Sequence, residues 1–276
     1  MSTPPEAAPG TTPGAAFQAL GGGRYRASEL TRGPWDAAHQ HAGPPIALVC
    51  GELERLAQGH GLTHLARVTA NLLRPLPIGE LQVEVAADYV GRNVAHLSAR
   101  LLADGRELAR FTALAQREAP FALPAGTPGH PLPLLTPAHA DSPAAHFPFA
   151  GRRIGYADLV ETRCARGRIF DGPSAIWFRL RQPLVEGETA SGYQRVAVAA
   201  DSGNGISAAL DYQAYSFVNS DLTLNLLRRP VGEWICIDAR TLLGPTGGGL
   251  AESALYDTEG LIGRATQSLA VRTRRA

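Results

Sequence analysis

The chain of 276 residues is 45% apolar and 18% charged, and its formal net charge is +1. The length suits one large domain or two of roughly 100–200 residues, and the apolar fraction is sufficient for a core. The near-neutral charge argues against nucleic-acid binding, the lack of a long apolar run argues against a membrane span, and three distant cysteines argue against zinc sites and disulfides. We therefore expect a cytoplasmic protein that binds neither nucleic acid nor membrane and uses no metal or other cofactor.

Residues 1–22 are rich in Pro, Ala and Gly and are predicted to form a disordered tail. A strand near residues 24–30 precedes a helix whose apolar residues recur at spacings of three and four. These residues are Ile46, Val49, Cys50, Leu53 and Leu56. Four alternating segments follow and predict a meander of strands, with Asp104-Gly105 as a hairpin turn. This order is typical of a helix laid on one face of an antiparallel sheet.

Residues 119–150 are rich in Pro, Ala and His and are predicted to be an extended linker on the surface. A second series of elements begins near Gly151. It comprises a strand, a helix that starts near Thr189 and ends at residues 203–205, and further alternating strands. The second half of the chain therefore has the same predicted element order as the first.

The sequence also repeats at a fixed offset. Residues 71–74 (NLLR) recur as residues 225–228 (NLLR), an offset of 154. Residues 110–113 align with residues 264–267 at the same offset. Matches in the same order, within the same element pattern, indicate an internal duplication. We predict two α+β modules, residues 23–118 and 151–276, joined by the linker.

Several sequence words in this order carry a family resemblance. They are GPWDAAHQHAGPP, NLLRPLPIGELQVEV, RLLADGRELAR, NSDLTLNLLRRPVGEW and ATQSLAVR. The chain resembles the acyl-CoA thioesterase II family and its actinobacterial-type relatives over about residues 23–118 and 151–273. The resemblance implies a double hotdog fold, in which each module is a long helix wrapped by an antiparallel sheet. It also implies a homo-oligomer.

The resemblance implies a water-holding site in the second module. Asp201 matches the family's Asp at the end of the second helix, and Gln267 matches its Gln in the last strand. The third position, a Thr or Ser in the family, is Asn219 in this chain. An amide can still donate and accept hydrogen bonds, so the water can still be held.

These residue types fit thioester hydrolysis. A carboxylate can orient water or take its proton, and neutral amides can fix the water without adding charge. Backbone N–H groups at a helix start can stabilise the oxyanion. The sequence has no GxSxG motif, so a covalent serine route is unsupported. The alternative roles are local: Asp201 and Asn219 could simply form turns, and Gln267 could be a solvent-facing strand residue.

Three further residues are weaker candidates. His41 and Gly43 lie at the start of the first helix and are predicted to line the acyl-CoA path, although a surface histidine is the more common case. Glu52 aligns with Asp201 when Gly43 is set against Gly192, so it could form a second site. An exposed helix glutamate near Arg55 is the interpretation we favour for Glu52.

The expected function is hydrolysis of an acyl-CoA to a free acid and CoA, with arginines at the module rims meeting the CoA phosphates. Two alternatives stay open. One is a non-catalytic acyl-CoA-binding protein, which the departure at Asn219 allows. The other is an enoyl-CoA hydratase, which would need a histidine beside the Asp, whereas the second module has none after His146.

Overall fold

The computed structural model describes residues 14–274. The first half contains one long helix, whose first turn holds Pro44 and Pro45, and six strands. These elements are β1 (Phe17–Gly21), β2 (Arg24–Ala27), α1 (Gly43–Gly59), β3 (His64–Leu72), β4 (Glu80–Val90), β5 (Val94–Ala103) and β6 (Arg106–Gln116). Asp104 and Gly105 both have positive φ, 48° and 71°, as the tight turn between β5 and β6 requires. The predicted order of the first half is confirmed.

The second half repeats this order with additions at both ends of its helix. Its elements are β7 (Ala144–Ala145), α2 (Tyr156–Leu159), β8 (Val160–Arg166), β9 (Ser174–Leu180), α3 (Gly192–Ala200), α4 (Gly203–Ile206), β10 (Tyr215–Asn219), β11 (Asp221–Leu226), β12 (Ile235–Leu243), β13 (Gly248–Asp257) and β14 (Gly260–Thr273). The helix starts later than predicted because the Ser191 side chain caps it, in a capping box with Gln194. None of the helices in residues 14–274 is long and apolar enough to cross a bilayer.

The strands form one 14-stranded sheet in the order β1-β2-β4-β5-β6-β3-β11-β14-β13-β12-β9-β8-β7, with β10 pairing to β14. All the paired strands are antiparallel. The halves join where β3 pairs with β11, and α1 packs against α3. At the centre of the β3–β11 pairing, Thr69 faces Thr223 and their hydroxyls are 3.2 Å apart. The two halves therefore form one continuous core.

The strand registers reproduce the offset found in the sequence. Thr69 pairs with Thr112 in the first half, and Thr223 pairs with Thr266 in the second. Both pairs are related by the same shift of 154 residues. The repeat therefore extends from sequence to hydrogen-bonding register, so corresponding positions of the two halves can be compared residue by residue.

The prediction of a disordered tail to residue 22 is wrong for its last part, and residues 1–13 lie outside the described residues. Residues 17–21 form β1, which pairs with β2. Ala16 and Phe17 are buried, and their N–H groups donate to the carbonyls of Pro183 and Leu184 in the second half. The segment is ordered because it buries Phe17 and satisfies its backbone across the two halves.

The segment predicted as a linker is extended only in part. Residues 117–138 contain no helix or strand. Beyond them, the His139 ring stacks on Trp234 with centroids 5.0 Å apart, β7 pairs with β8, and Phe147 is buried. The end of the predicted linker therefore packs on the second half, because its aromatic residues have apolar surface to bury.

Candidate active site

Asp201 lies at the C-terminal cap of α3, where the helix stops and the short helix α4 begins. Its side chain is only 4% exposed. The start of α1 approaches α3 closely at this point, since a Cβ on Gly43 would lie 2.8 Å from the Val198 carbonyl oxygen and 3.4 Å from Asp201 Cβ. Glycine at position 43 is thus required for the contact between the helices, which brings the first half up to Asp201.

The two other predicted catalytic residues contact Asp201. Asn219 Nδ2 donates to Asp201 Oδ1 over 2.8 Å. Gln267 Nε2 lies 3.4 Å from the same oxygen and donates to the Asp201 backbone carbonyl over 3.1 Å. The sequence therefore identified three side chains that the fold brings together, although they come from a helix end and two strands.

Gln267 is not a solvent-facing strand residue, because it is buried. Its Oε1 accepts a hydrogen bond from the backbone N–H of Asn204 over 3.0 Å, which fixes the orientation of the amide. A Cβ on Gly203 would lie 2.9 Å from this Oε1, so glycine is needed for α4 to come so near. Gln267 thus buttresses Asp201 from the side of the sheet.

His41 occupies the other carboxylate oxygen. Its Nδ1 is 2.9 Å from Asp201 Oδ2 and 3.2 Å from the backbone nitrogen of Gly43. One ring nitrogen cannot donate to the carboxylate and accept from Gly43 at once, and the shorter, charge-assisted contact is the stronger. We therefore assign the Nδ1 proton to the bond with Asp201, which leaves Nε2 as the acceptor in the neutral ring.

Tyr156 holds the His41 ring in place. The two rings stack with centroids 3.8 Å apart and an interplanar angle of 4°. The Tyr156 hydroxyl donates to the Val198 carbonyl over 2.8 Å and lies 2.9 Å from Ser202 Oγ. Burial raises the pKa of Tyr156 far above its ordinary value, so the phenol stays neutral. The sequence analysis missed Tyr156, because nothing in the spacing of α2 pairs it with His41.

The Asp201 carboxylate and the three side chains that contact it lie at the edge of a cavity of ≈ 440 Å³. Asp201, Asn219 and His41 line it, and Gln267 lies behind Asp201. Apolar residues make up much of the remaining wall, among them Leu72, Leu76, Phe217 and Val218. Gly43 does not line this cavity and packs against α3 instead, so the geometry does not support its predicted contact with substrate. The site combines a polar, hydrogen-bonded corner with an apolar chamber.

The sequence alone does not show a histidine beside Asp201. The hydratase alternative stays open there, although the second half lacks a histidine after His146. A histidine does lie beside Asp201, but it comes from the first half, 160 residues earlier in the chain. Only the contact between α1 and α3 reveals it.

Glu52 is the counterpart of Asp201 in the first half, and its surroundings differ. Arg55 Nη2 donates to Glu52 Oε1 over 2.8 Å, and Tyr25 donates to the same oxygen. Burial raises the pKa of Glu52, but the hydrogen bonds from Arg55 and Tyr25 outweigh it and hold that pKa below its ordinary value. Glu52 is a partly buried ion-pair partner, which is close to the favoured interpretation from sequence.

Comparisons with known proteins agree with this architecture. Residues 31–116 match the model of the acyl-CoA thioesterase N-terminal domain, and residues 135–271 match that of the C-terminal domain. No curated protein matches the chain.

Solved structures with a similar fold include a putative thioesterase II from Thermobifida fusca, with a TM-score of 0.72 at 15% identity over 95% of this chain and 96% of that one. A putative thioesterase from Novosphingobium aromaticivorans has a TM-score of 0.68 at 20% identity over 92% and 98% of the two chains. A protein with a hot dog fold from Alicyclobacillus acidocaldarius has a TM-score of 0.67 at 17% identity over 95% and 97%. At such identities the likeness concerns the fold alone. The two matching family models span most of both halves, and the chain belongs to the acyl-CoA thioesterase family.

Proposed function

We propose that the protein hydrolyses acyl-CoA thioesters to a free acid and CoA. The observation that carries the proposal is the convergence of His41, Asn219 and Gln267 on the Asp201 carboxylate at the wall of a largely apolar cavity. Family membership supports thioester hydrolysis in general. The cavity is large enough for an acyl group, since ligand sites commonly measure about 300–1,000 Å³.

We also propose that each half is a hotdog module, so that the chain is a double hotdog. The equal strand registers and the packing of α1 against α3 support this arrangement. In this arrangement the second module supplies Asp201, Asn219 and Gln267, and the first supplies His41. Assembly into a homo-oligomer and a cytoplasmic location stay predictions.

The hydrogen bonds around Asp201 suggest separate roles for Asp201 and His41. Asp201 Oδ1 accepts from Asn219 and lies near the Gln267 amide, and Oδ2 faces His41 Nδ1. Three of the roughly four lone-pair positions of the carboxylate are therefore engaged. We assign Asp201 the role of orienting His41 and stabilising its protonated form, rather than removing the water's proton itself.

In the proposed reaction, His41 Nε2 takes a proton from water as the water oxygen bonds to the thioester carbonyl carbon. The tetrahedral intermediate then collapses, the C–S bond breaks, and the proton on Nε2 passes to the departing thiolate. One water is consumed, and the products are the carboxylic acid and the thiol. General acid–base catalysis of this kind contributes about 10²–10⁴ in rate.

The test is release of free thiol from a series of acyl-CoAs of increasing chain length, followed with a chromogenic disulfide. We expect turnover with at least one chain length and its loss in the Asp201→Asn variant. If no acyl-CoA is turned over while acyl-CoA still raises the melting temperature, the protein is a binder and the proposal fails. If an enoyl-CoA loses its conjugated absorbance without release of thiol, the protein is a hydratase.

A further inference from the structure

We propose that a cleft beside the catalytic cavity, lined by Trp35, Phe149, Arg152 and Arg153, binds the phosphorylated adenosine end of CoA. We call it the Trp35 cleft. The inference rests on the proposed acyl-CoA hydrolysis and answers a question that the sequence leaves open, namely which arginines meet the CoA phosphates.

The Trp35 cleft adjoins the catalytic cavity. It consists of two hollows of ≈ 240 Å³ and ≈ 230 Å³, which share Trp35, Phe149 and Arg152. The second hollow and the catalytic cavity share Trp35 and Arg274. A substrate with its thioester near Asp201 can therefore extend past Trp35 to the arginines. CoA is such a substrate, because a flexible pantetheine arm separates its thiol from the charged nucleotide.

The cleft is lined by more basic than acidic side chains. Arg152 and Arg153 are exposed, and within residues 14–274 their side chains form no hydrogen bond or ion pair. Arg274 donates to the carbonyls of Tyr212 and Tyr215, over 3.0 and 3.2 Å, and has no acidic partner among the described residues. Guanidinium groups bind phosphates through paired hydrogen bonds, so these three arginines suit a polyphosphorylated ligand.

The other charged groups of the cleft are already engaged. Arg32 donates to the carbonyls of Ala37 and Ile154 and pairs with Glu29. Asp36 accepts from the backbone N–H of Ala38 over 2.8 Å and lies 3.3 Å from His39 Nδ1. Arg32 and Asp36 therefore line the cleft with partners already in place. Among the residues that the structure describes, Arg152 and Arg153 are the cations of the cleft whose side chains have no partner.

Aromatic side chains form part of the remaining wall of the cleft. Trp35 is 46% exposed, and the Arg274 guanidinium carbon lies 5.4 Å from the centre of its ring. Phe170 lies beside Phe149 and Tyr212, with ring centroids 6.3 and 5.1 Å away. Exposed aromatic faces stack on nucleic-acid bases, and arginine reinforces that stacking.

The backbone of Phe170 is strained. Its φ is +65°, in the left-handed region that bulky side chains seldom adopt. Such a conformation is unfavourable and persists where surrounding contacts hold it. The contacts with Phe149 and Tyr212 do so, and the result is an aromatic wall at the end of the cleft. Arginines with aromatic faces favour a purine nucleotide over a simple anion.

The experiment compares two substrates of the full-length protein, octanoyl-CoA and octanoyl-pantetheine, which lacks the nucleotide. In the Arg152→Ala/Arg153→Ala variant we expect KM for octanoyl-CoA to rise about tenfold with kcat unchanged, since the charge-assisted bonds to the nucleotide phosphates are lost. Octanoyl-pantetheine should be hydrolysed as by the unchanged protein. The matched control is Arg106→Ala/Arg264→Ala, which removes two exposed arginines that line neither hollow.

Calorimetric binding of adenosine 3′,5′-bisphosphate keeps the inference separate from catalysis. We expect binding that is weakened about tenfold in the Arg152→Ala/Arg153→Ala variant, with inorganic phosphate competing poorly. An equal loss of activity on both substrates, or bisphosphate binding unaffected by the variant, would overturn the proposed cleft. If neither substrate is hydrolysed but the bisphosphate binds through these arginines, the proposed function fails and the cleft stands.

Discussion

The two halves of the molecule have the same scaffold, but the carboxylates at corresponding helix positions, Asp201 and Glu52, have different neighbours. In the second half, the Asp201 carboxylate meets two amides and an imidazole, at the wall of a cavity. In the first half, Glu52 meets Arg55 and Tyr25. An arginine pairs with a carboxylate permanently, because it does not lose its proton. Neutral amides instead donate hydrogen bonds to a carboxylate without cancelling its charge.

The helices explain part of this difference. α3 stops at Ala200, so Asp201 is a cap residue free to face the sheet, whereas α1 continues through Glu52 to Gly59. The strands explain the rest, since the position of Gln267 in β14 is occupied by buried Ala113 in β6. Of the two equivalent positions, that of the second half holds the polar site, and the first half contributes mainly packing and His41.

The largest expected effect comes from Asp201→Asn. The new amide would bring an N–H donor towards Asn219, Gln267 and His41, all of which act as donors. We expect kcat to fall about 10³-fold, measured by thiol release.

The matched substitution in the first half is Glu52→Gln, and it should change kcat by less than about twofold, since Glu52 is only an ion-pair partner. If both variants lose activity equally, the proposal that Asp201 supports catalysis and Glu52 does not is wrong.

The second effect concerns His41→Gln, which keeps a side chain able to donate to Asp201 but removes the base. We expect kcat to fall about 10³-fold, as in Asp201→Asn, with little change in KM, because both changes disable the same base. His60→Gln, in an exposed residue at the end of α1, is the control. A rise in KM at constant kcat would mean that His41 only lines the substrate path.

A reciprocal exchange tests the strand positions. Gln267→Ala makes the second half resemble the first, and we expect kcat to fall about tenfold or more, since Asp201 loses a buttress worth about 1–3 kcal/mol. Ala113→Gln should give no activity to the first half. It should lower the free energy of unfolding by about 1–3 kcal/mol, because it buries an amide. Steady-state kinetics and urea unfolding measure the two effects; a stable Ala113→Gln protein would contradict the expected packing.

Substitutions at Asn219 test the position at which this chain has an amide and the family has a Thr or Ser. Asn219→Thr restores a hydroxyl, and we expect kcat within about threefold of the unchanged protein, because a hydroxyl can also donate to Asp201. Asn219→Leu keeps the size but not the donor, and we expect a loss of about tenfold. Equal activity of the threonine and leucine variants would show that the hydrogen bond to Asp201 is not needed.

The smallest effect concerns His64, which joins the halves. Its ring nitrogens lie 3.0 Å from the Tyr193 hydroxyl and 3.0 Å from the Leu226 carbonyl. Burial lowers the pKa of His64, and the bond to the Leu226 carbonyl opposes this only in part. The unfolded chain therefore binds the proton more readily, so the free energy of unfolding should fall as pH drops below about 6.5. Urea unfolding of His64→Gln should show a flatter pH dependence; an identical slope would contradict the assignment.

Local sequence patterns were sufficient for most of the scaffold. The spacing of Ile46, Val49 and Leu53 predicted α1, and the Asp104-Gly105 pair predicted the turn between β5 and β6. The repeated NLLR predicted an internal duplication, with which the equal strand registers agree. These features depend on neighbouring residues, through helical periodicity and turn conformation, so a sequence contains them directly.

The site depended on contacts between distant segments. Family resemblance pointed to Asp201, Asn219 and Gln267. From their local sequence alone, Asp201 and Asn219 could equally form turns, and Gln267 could equally face solvent from a strand. Only the packing of α1 against α3, through Gly43, brings His41 to Asp201, and only the placement of α2 puts Tyr156 against the His41 ring. The sequence by itself determined the modules and their repetition. The tertiary structure decided which of the two carboxylates lies among amides and an imidazole, because a carboxylate's surroundings come from segments distant in the chain.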